Sequence, residues 1–147
     1  MWATQRLLDA IRDFDSASLT RDFGTADKSV LGTLYHIYLA DSVWLERVGG
    51  RRFPGRTPAD QQSLQHLESM WVPVLEEWKC WLETQPDPNR VIAYQDMSGR
   101  DWQNTISEII LHLVNHATHH RGQVSGFLRA LGKVPPQLDL IAYYRGR

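Results

Sequence analysis

The chain contains a single cysteine, Cys80, among its 147 residues. An intrachain disulfide is therefore excluded, and a reducing cytoplasm is the expected compartment. Because its sequence neighbours include Trp78 and Trp81, we expect Cys80 to be a packed thiol rather than a nucleophile. No apolar run is long enough to cross a bilayer, and the start, MWATQRLLDAIRDFD, lacks the pattern of a signal peptide. We expect no contact with a membrane.

An excess of charge of either sign is also missing. The 16 basic and 17 acidic residues leave a formal net charge of −1, so no overall attraction to nucleic acid is expected. The one short basic run, RRFPGR at 51–56, is weak ground for DNA binding, since such loops are usually just solvated. Repeats and low-complexity segments are absent too. Length and a hydrophobic content of 42% predict one domain over residues 1–147.

Four stretches carry the apolar spacing of amphipathic helices. The first covers Trp2–Phe14, and a loop over Ser16–Lys28 separates it from the second, Ser29–Val48. The third is predicted to begin with Thr57 as N-cap, ahead of Pro58 and with Asp60 in its first turn, and to end before Gln85–Pro86. Pro73 falls inside this helix and is expected to kink it.

The fourth helix is predicted over Ile106–Leu131, where Thr105 and Glu108 form a capping box. Just before it, two strand-like segments flank a Ser98–Gly99 turn and predict a short β-hairpin. The fold class is therefore all-α, a four-helix bundle with a small hairpin before the last helix. The loop after Val48 is just long enough, at about 30 Å extended, for helices two and three to run parallel. The apolar tail, 138–144, is expected to pack back on the bundle.

Four of the six histidines lie on the last helix, and His112, His116 and His120 recur at every fourth residue. This spacing places side chains on one helix face, where two imidazoles can reach one divalent ion. Helix histidines are also commonly exposed or hydrogen-bonded in the core, so the pair His116 and His120 needs a third ligand from another helix.

His36, on the second helix, is a candidate for that ligand. Gly32, Thr33 and Ala40 leave space around its ring, although taken alone the pattern fits an ordinary core histidine. A bundle brings helices two and four within reach of each other, so His36 could meet His116 and His120. Three histidines with an open coordination position are typical of catalytic divalent sites.

Three motifs carry a resemblance to a known family: Leu34-Tyr35-His36-Ile37 with Asp41 and Trp44, the run NHATHHRGQ at 115–123, and FLRALG at 127–132 with Pro135 and Leu138-Asp139. The chain resembles the DinB-like family of damage-inducible metal-binding proteins along nearly its whole length. The resemblance implies an up-down-down-up bundle and a nickel or zinc ion held by His36, His116 and His120. It also implies a homodimer.

Members of this family include transferases that join a low-molecular-weight thiol to an electrophile, and thiol-dependent isomerases. The resemblance therefore implies a metalloenzyme that acts on an electrophilic small molecule. Because no cysteine of the chain is a plausible nucleophile, the thiol would come from a small-molecule cofactor. The alternative is a non-catalytic metal-binding bundle of the stress response. The sequence leaves open which of the two applies, and which metal is bound.

Other residues near the motifs have predicted roles of their own. His112 is expected to be a packed group or one that supports a ligand, and His119 a surface or interface histidine. Asp41 and Asn115 are candidates for the group that accepts the second N–H of a ligand imidazole.

Two further features of the last helix remain. Arg121 is expected to have a structural role rather than to bind a substrate anion. Gly122 and Gly126 lie four residues apart, and their missing side chains predict close helix packing or a dimer interface.

Overall fold

The computed structural model describes residues 1–51, 53–55, 57–58 and 61–146. Within them the protein is mostly helical, with six helices and one antiparallel pair of strands. The elements are α1 Trp2–Ile11, α2 Ser16–Thr20, α3 Val30–Val48, α4 Leu64–Glu83, β1 Val91–Gln95, β2 Asp101–Thr105, α5 Ile106–Ala130 and α6 Leu140–Arg145. The predicted class, a helical bundle with a hairpin before the last long helix, is confirmed.

Helices α3 and α5 begin where the sequence predicts. The Ser29 side chain accepts a hydrogen bond from the Gly32 amide and caps α3. Thr105 and Glu108 form the capping box of α5, with both reciprocal hydrogen bonds present. In each case a polar side chain satisfies a free amide of the first turn, which fixes the helix start.

Three predicted boundaries are wrong. Helix α1 ends at Ile11 rather than Phe14, and the predicted loop after it contains the short helix α2, which Asp15 caps. Helix α4 begins after Ser63, whose hydroxyl accepts from the His66 amide, and not after Thr57. Two capping signals stand close together here, and the later one starts the helix. Arg52, Arg56 and Asp60, which belong to the predicted basic loop and the predicted first turn, lie outside the described residues.

Helix α4 continues through Pro73 to Glu83. The predicted hairpin is confirmed, with Val91 paired to Thr105 and Gln95 to Asp101. Gly99 adopts φ +84° in the turn between the strands, a backbone conformation that side chains rarely adopt. The tail forms α6, which contacts α1 through the rings of Tyr143 and Trp2, 5.6 Å apart.

Two hydrophobic clusters show how the long helices run. The larger cluster contains the first half of α3, the first half of α4 and the second half of α5; the smaller contains the opposite halves and Ile92 of the hairpin. Helices α3 and α4 are therefore parallel, and α5 is antiparallel to both. This agrees with the predicted parallel pairing of the second and third long helices.

Cys80 is exposed, so the expectation of a packed thiol is wrong. It stands about 200° around α4 from the buried Trp78, on the solvent face. In the described part of the chain, no helix is both long and apolar enough to cross a membrane.

Candidate metal centre

The structure brings His36 of α3 together with His116 and His120 of α5. One ring nitrogen from each lies within 4.8 Å of the corresponding nitrogens of the other two. The Nε2 atoms of His36 and His116 are 3.0 Å apart, and the rings of His36 and His120 have centroids 4.4 Å apart. The sequence spacing of four residues on α5 and the antiparallel packing of α3 against it produce this convergence.

Oxygen atoms of Gln123 and Asp27 lie beside Nδ1 of two of the imidazoles. Nδ1 of His120 lies 2.7 Å from Oε1 of Gln123, one turn further along α5. The Asp27 carboxylate lies 3.5 Å from Nδ1 of His36 and 3.8 Å from Nδ1 of His120. The Gln123 oxygen accepts a hydrogen bond and the Asp27 carboxylate attracts an N–H, so both favour the proton on Nδ1 and leave the lone pair on Nε2. In His36 that Nε2 atom faces His116.

Asp27 reaches the histidines because Gly32 lets its loop pack against the first turn of α3. A Cβ at Gly32 would lie 2.1 Å from the backbone oxygen of Asp27, closer than any real contact. Lys28, the residue after Asp27, has φ +63°, which turns the chain back toward the start of α3. The lack of a side chain at Gly32 therefore allows the Asp27 carboxylate to reach the histidines. This requirement explains the glycine better than the need for space around His36 does.

The surroundings of His116 keep its imidazole uncharged. Burial, together with the smaller effects of the neighbouring charges of His120 and His36, lowers its pKa to about 4. Its Nδ1 atom is buried and has no hydrogen-bond partner among the described residues. The ring is therefore neutral at physiological pH, the form in which imidazole can be a metal ligand.

Two cavities reach the histidines. One, of about 200 Å³, is lined by Asp27, His36 and Tyr35. The other, of about 190 Å³, is lined by His36 and His116 together with Trp44 and other residues of α3 and the hairpin. Small molecules can thus approach the cluster from two sides.

Comparison with known proteins gives the family. The model of the DinB family matches residues 1–147. The chain belongs to the DinB family. It is 22% identical over 151 aligned residues to Protein DinB of Bacillus subtilis (strain 168), an alignment that covers 97% of this chain and 88% of that protein.

A second relative, the uncharacterized protein YizA of the same organism, is 26% identical over 118 residues, covering 78% of this chain and 72% of YizA. The solved structure of a DinB-like protein from Bacillus cereus ATCC 10987 has a TM-score of 0.67 at 20% identity, over 94% of this chain and 91% of that one. At this identity the likeness shows the fold, and it agrees with the bundle and hairpin described above.

The other two histidines of α5 in this DinB-family chain lie outside the cluster. His112 is exposed, and its ring lies 5.6 Å from Trp44 and 5.7 Å from His116. His119 is exposed as well, as predicted, beside Gln123. His112 lies one turn nearer the start of α5 than His116 does, which places it away from His36 and toward the hairpin.

The candidates Asp41 and Asn115 do not support the imidazoles. Oδ2 of Asp41 accepts a hydrogen bond of 2.8 Å from the indole of Trp71, and its backbone oxygen accepts one of 2.9 Å from Trp78. Asp41 therefore links α3 to α4, and burial raises its pKa to about 6. Asn115 is exposed. The supporting groups are instead Asp27, for which the sequence offers no signal, and Gln123, which follows His120 by one turn.

Arg121 donates a hydrogen bond to Thr118, and burial lowers its pKa while the charge of Asp41 opposes that shift. The prediction that Gly122 and Gly126 pack closely against another helix of the chain is wrong. Outside the helix's own backbone, no heavy atom of the described residues lies within 4 Å of a Cβ built at either glycine. The interface interpretation of these glycines remains a prediction.

Proposed function

We propose that His36, His116 and His120 bind one divalent ion, nickel or zinc, and that the protein is a metalloenzyme that joins a low-molecular-weight thiol to an electrophilic small molecule. The observation that carries the proposal is the convergence of three imidazole nitrogens from two helices within 4.8 Å. Family membership and the cavities at the cluster add to it.

The donor set suits such an ion. Neutral imidazole binds borderline divalent metals, and the contacts of Asp27 and Gln123 with Nδ1 of His36 and His120 leave the Nε2 lone pairs of these rings free for an ion. In the part of the chain that is described, the group contains no fourth His, Cys, Asp or Glu. Three protein ligands are the number found in catalytic zinc sites, whereas structural sites have four.

A divalent ion in this position supplies Lewis acidity, which lowers the pKa of a bound thiol or water. The residues of the chain orient and enclose the reactants. Asp27 and Gln123 hold the imidazoles, and the cavity beside Trp44 receives the small molecule. The exposed Cys80 lies on α4, outside the lining of both cavities, so the thiol comes from a cofactor.

The direct test is an assay of metal-loaded protein with bacillithiol, mycothiol or glutathione and a model electrophile. We expect chelation or the substitution His116→Ala to abolish thiol consumption, while His119→Ala retains it. Activity that survives chelation would reject the role of the metal. A metal-loaded protein inactive with all three thiols would favour the non-catalytic alternative.

A further inference from the structure

Arg47 lies on the same face of α3 as His36, eleven residues later along the helix. Eleven residues make three turns plus about 20°, a rise of roughly 16 Å. Both side chains lean toward the N-terminus, and because arginine is the longer one, its guanidinium reaches to roughly 10 Å from the His36 ring. Both residues line the cavity of about 190 Å³ that also contacts His116.

Two aromatic rings hold the Arg47 guanidinium in place. Its central carbon lies 4.8 Å from the ring of Trp44 and 5.1 Å from the ring of Tyr94 on β1. The two rings also contact each other, with centroids 4.8 Å apart. Arg47 is thereby held between α3 and the hairpin, and cation–π contacts do not use its N–H groups as hydrogen-bond donors to a protein acceptor.

Those N–H groups have no acidic partner. Among the residues that the structure describes, no carboxylate oxygen lies within 4.0 Å of Arg47, and none of its side-chain N–H groups donates to a protein acceptor. The nearby acids are engaged elsewhere: Glu46 pairs with Arg51, and Asp96 accepts hydrogen bonds from Ser98 in its own turn and from Trp102 on β2.

The lining of the cavity contains two imidazoles and one guanidinium, and no carboxylate among its described residues. A second cavity, of about 730 Å³, adjoins it at Arg47 and Met97 and extends along the hairpin. A ligand can therefore occupy the space between the histidines and Arg47 and extend beyond it.

We propose that Arg47 binds an oxyanion group, a carboxylate or phosphate, of the small molecule whose other end reaches the three histidines. This inference rests on the proposed function and restricts the chemical class of its small-molecule ligand. The thiol or electrophile carries an anionic group roughly 10 Å from its reacting atom, and the planar fork of Arg47 binds that group through two N–H donors.

The test uses two thiols of equal length that differ in one end group, 6-mercaptohexanoate and 6-mercaptohexanol. Isothermal titration calorimetry with zinc-loaded protein measures the dissociation constant of each. We expect the acid to bind about tenfold more tightly than the alcohol, the effect of hydrogen bonds to a charged group. The substitution Arg47→Gln removes this preference and leaves the affinity for the alcohol unchanged.

The matched control is Arg100→Gln. Arg100 also stacks on an indole, with its central carbon 4.4 Å from the ring of Trp102, but it does not line the cavity. This variant is expected to keep the wild-type preference, and circular dichroism checks that both variants are folded.

An equal affinity for acid and alcohol in the wild type, or a preference that survives Arg47→Gln, overturns the inference even if zinc binds. Failure to bind zinc is a separate result, which overturns the proposed function. In that case the same titrations on metal-free protein decide the role of Arg47: a preference for the acid that Arg47→Gln removes supports it, and no preference rejects it.

Discussion

Gln123 orients His120 through one contact, in which its Oε1 atom lies 2.7 Å from Nδ1 of the imidazole. Replacing it by leucine removes the acceptor and frees the imidazole to change tautomer and rotate. We expect Gln123→Leu to weaken metal affinity about 10- to 100-fold, the usual effect of losing such a partner. Competition with a chromophoric chelator measures it.

The conservative variant Gln123→Glu supplies the control, because a carboxylate also accepts from Nδ1. It is expected to retain metal affinity within a few-fold of wild type. Equal affinities for Gln123→Leu and wild type would mean that the orientation of His120 does not depend on this contact.

Asp41 makes stability depend on pH. Its pKa is raised from 3.8 to about 6 by burial, so the native state holds its proton to higher pH than the unfolded state does. As pH rises from about 4 to 6, the unfolded state ionises first and the native protein loses stability, by up to about 3 kcal/mol. In the variant Asp41→Asn, the side-chain oxygen can still accept the hydrogen bond of the Trp71 indole, but the side chain does not ionise.

Urea unfolding of wild type and Asp41→Asn over this range tests the prediction. The variant is expected to gain stability relative to wild type as pH rises, with the difference levelling off above about pH 6. A difference between the two proteins that is the same at about pH 4 and pH 7 would show that Asp41 ionises normally in the native state.

At the scale of elements, Ser63 rather than Thr57 determines where α4 begins. Its hydroxyl accepts from the His66 amide at 3.1 Å. We expect Ser63→Ala to lower the free energy of unfolding by about 1 kcal/mol, the typical cost of losing an N-cap. Thr57→Ala, at the start predicted from the sequence, should change it by less than about 0.5 kcal/mol. Denaturant titration compares them, and the reverse order of effects would place the helix start at Thr57.

Gly32 joins α3 to the loop that carries Asp27. A methyl group at this position must displace the Asp27 backbone, since its Cβ would stand 2.1 Å from the carbonyl oxygen. We expect Gly32→Ala to destabilise the protein by about 1–3 kcal/mol and to weaken metal binding by moving the carboxylate. Thermal unfolding and metal titration measure the two effects.

Gly122 is the matched control, a helical glycine with open space around its Cβ position. Because alanine favours the helix more than glycine does, Gly122→Ala should stabilise an isolated chain by about 0.5–1 kcal/mol. A loss of stability instead would favour the predicted interface at this face of α5, and sedimentation would then show whether a homodimer is disrupted.

The sequence predicts elements well where one local signal acts alone. The capping box at Thr105 and Glu108 and the turn at Gly99 were sufficient for α5 and the hairpin. Competing caps at Thr57 and Ser63 misplaced α4. The short helix α2 has too few residues for a periodic pattern, so the sequence shows only its Asp15 cap.

Across the whole molecule, the central prediction was that histidines 80 residues apart converge, and the structure confirms their proximity. Periodicity placed His116 and His120 on one face of α5, while the family motif related them to His36. Asp27 was missed because its approach depends on the loop fold and on contact with Gly32, which no periodic pattern encodes. The single-domain organisation and the homodimer stay predictions.

The proposed three-histidine metal site is tested most directly by the metal content of protein purified without a histidine tag or nickel column. Elemental analysis should find about one nickel or zinc ion per chain in wild type, and a content near zero in His36→Ala. His112→Ala and His119→Ala, which change the two exposed histidines of α5, should retain the ion. Wild-type protein that remains metal-free after incubation with either ion, or His36→Ala that binds as much metal as wild type, would contradict the proposed site.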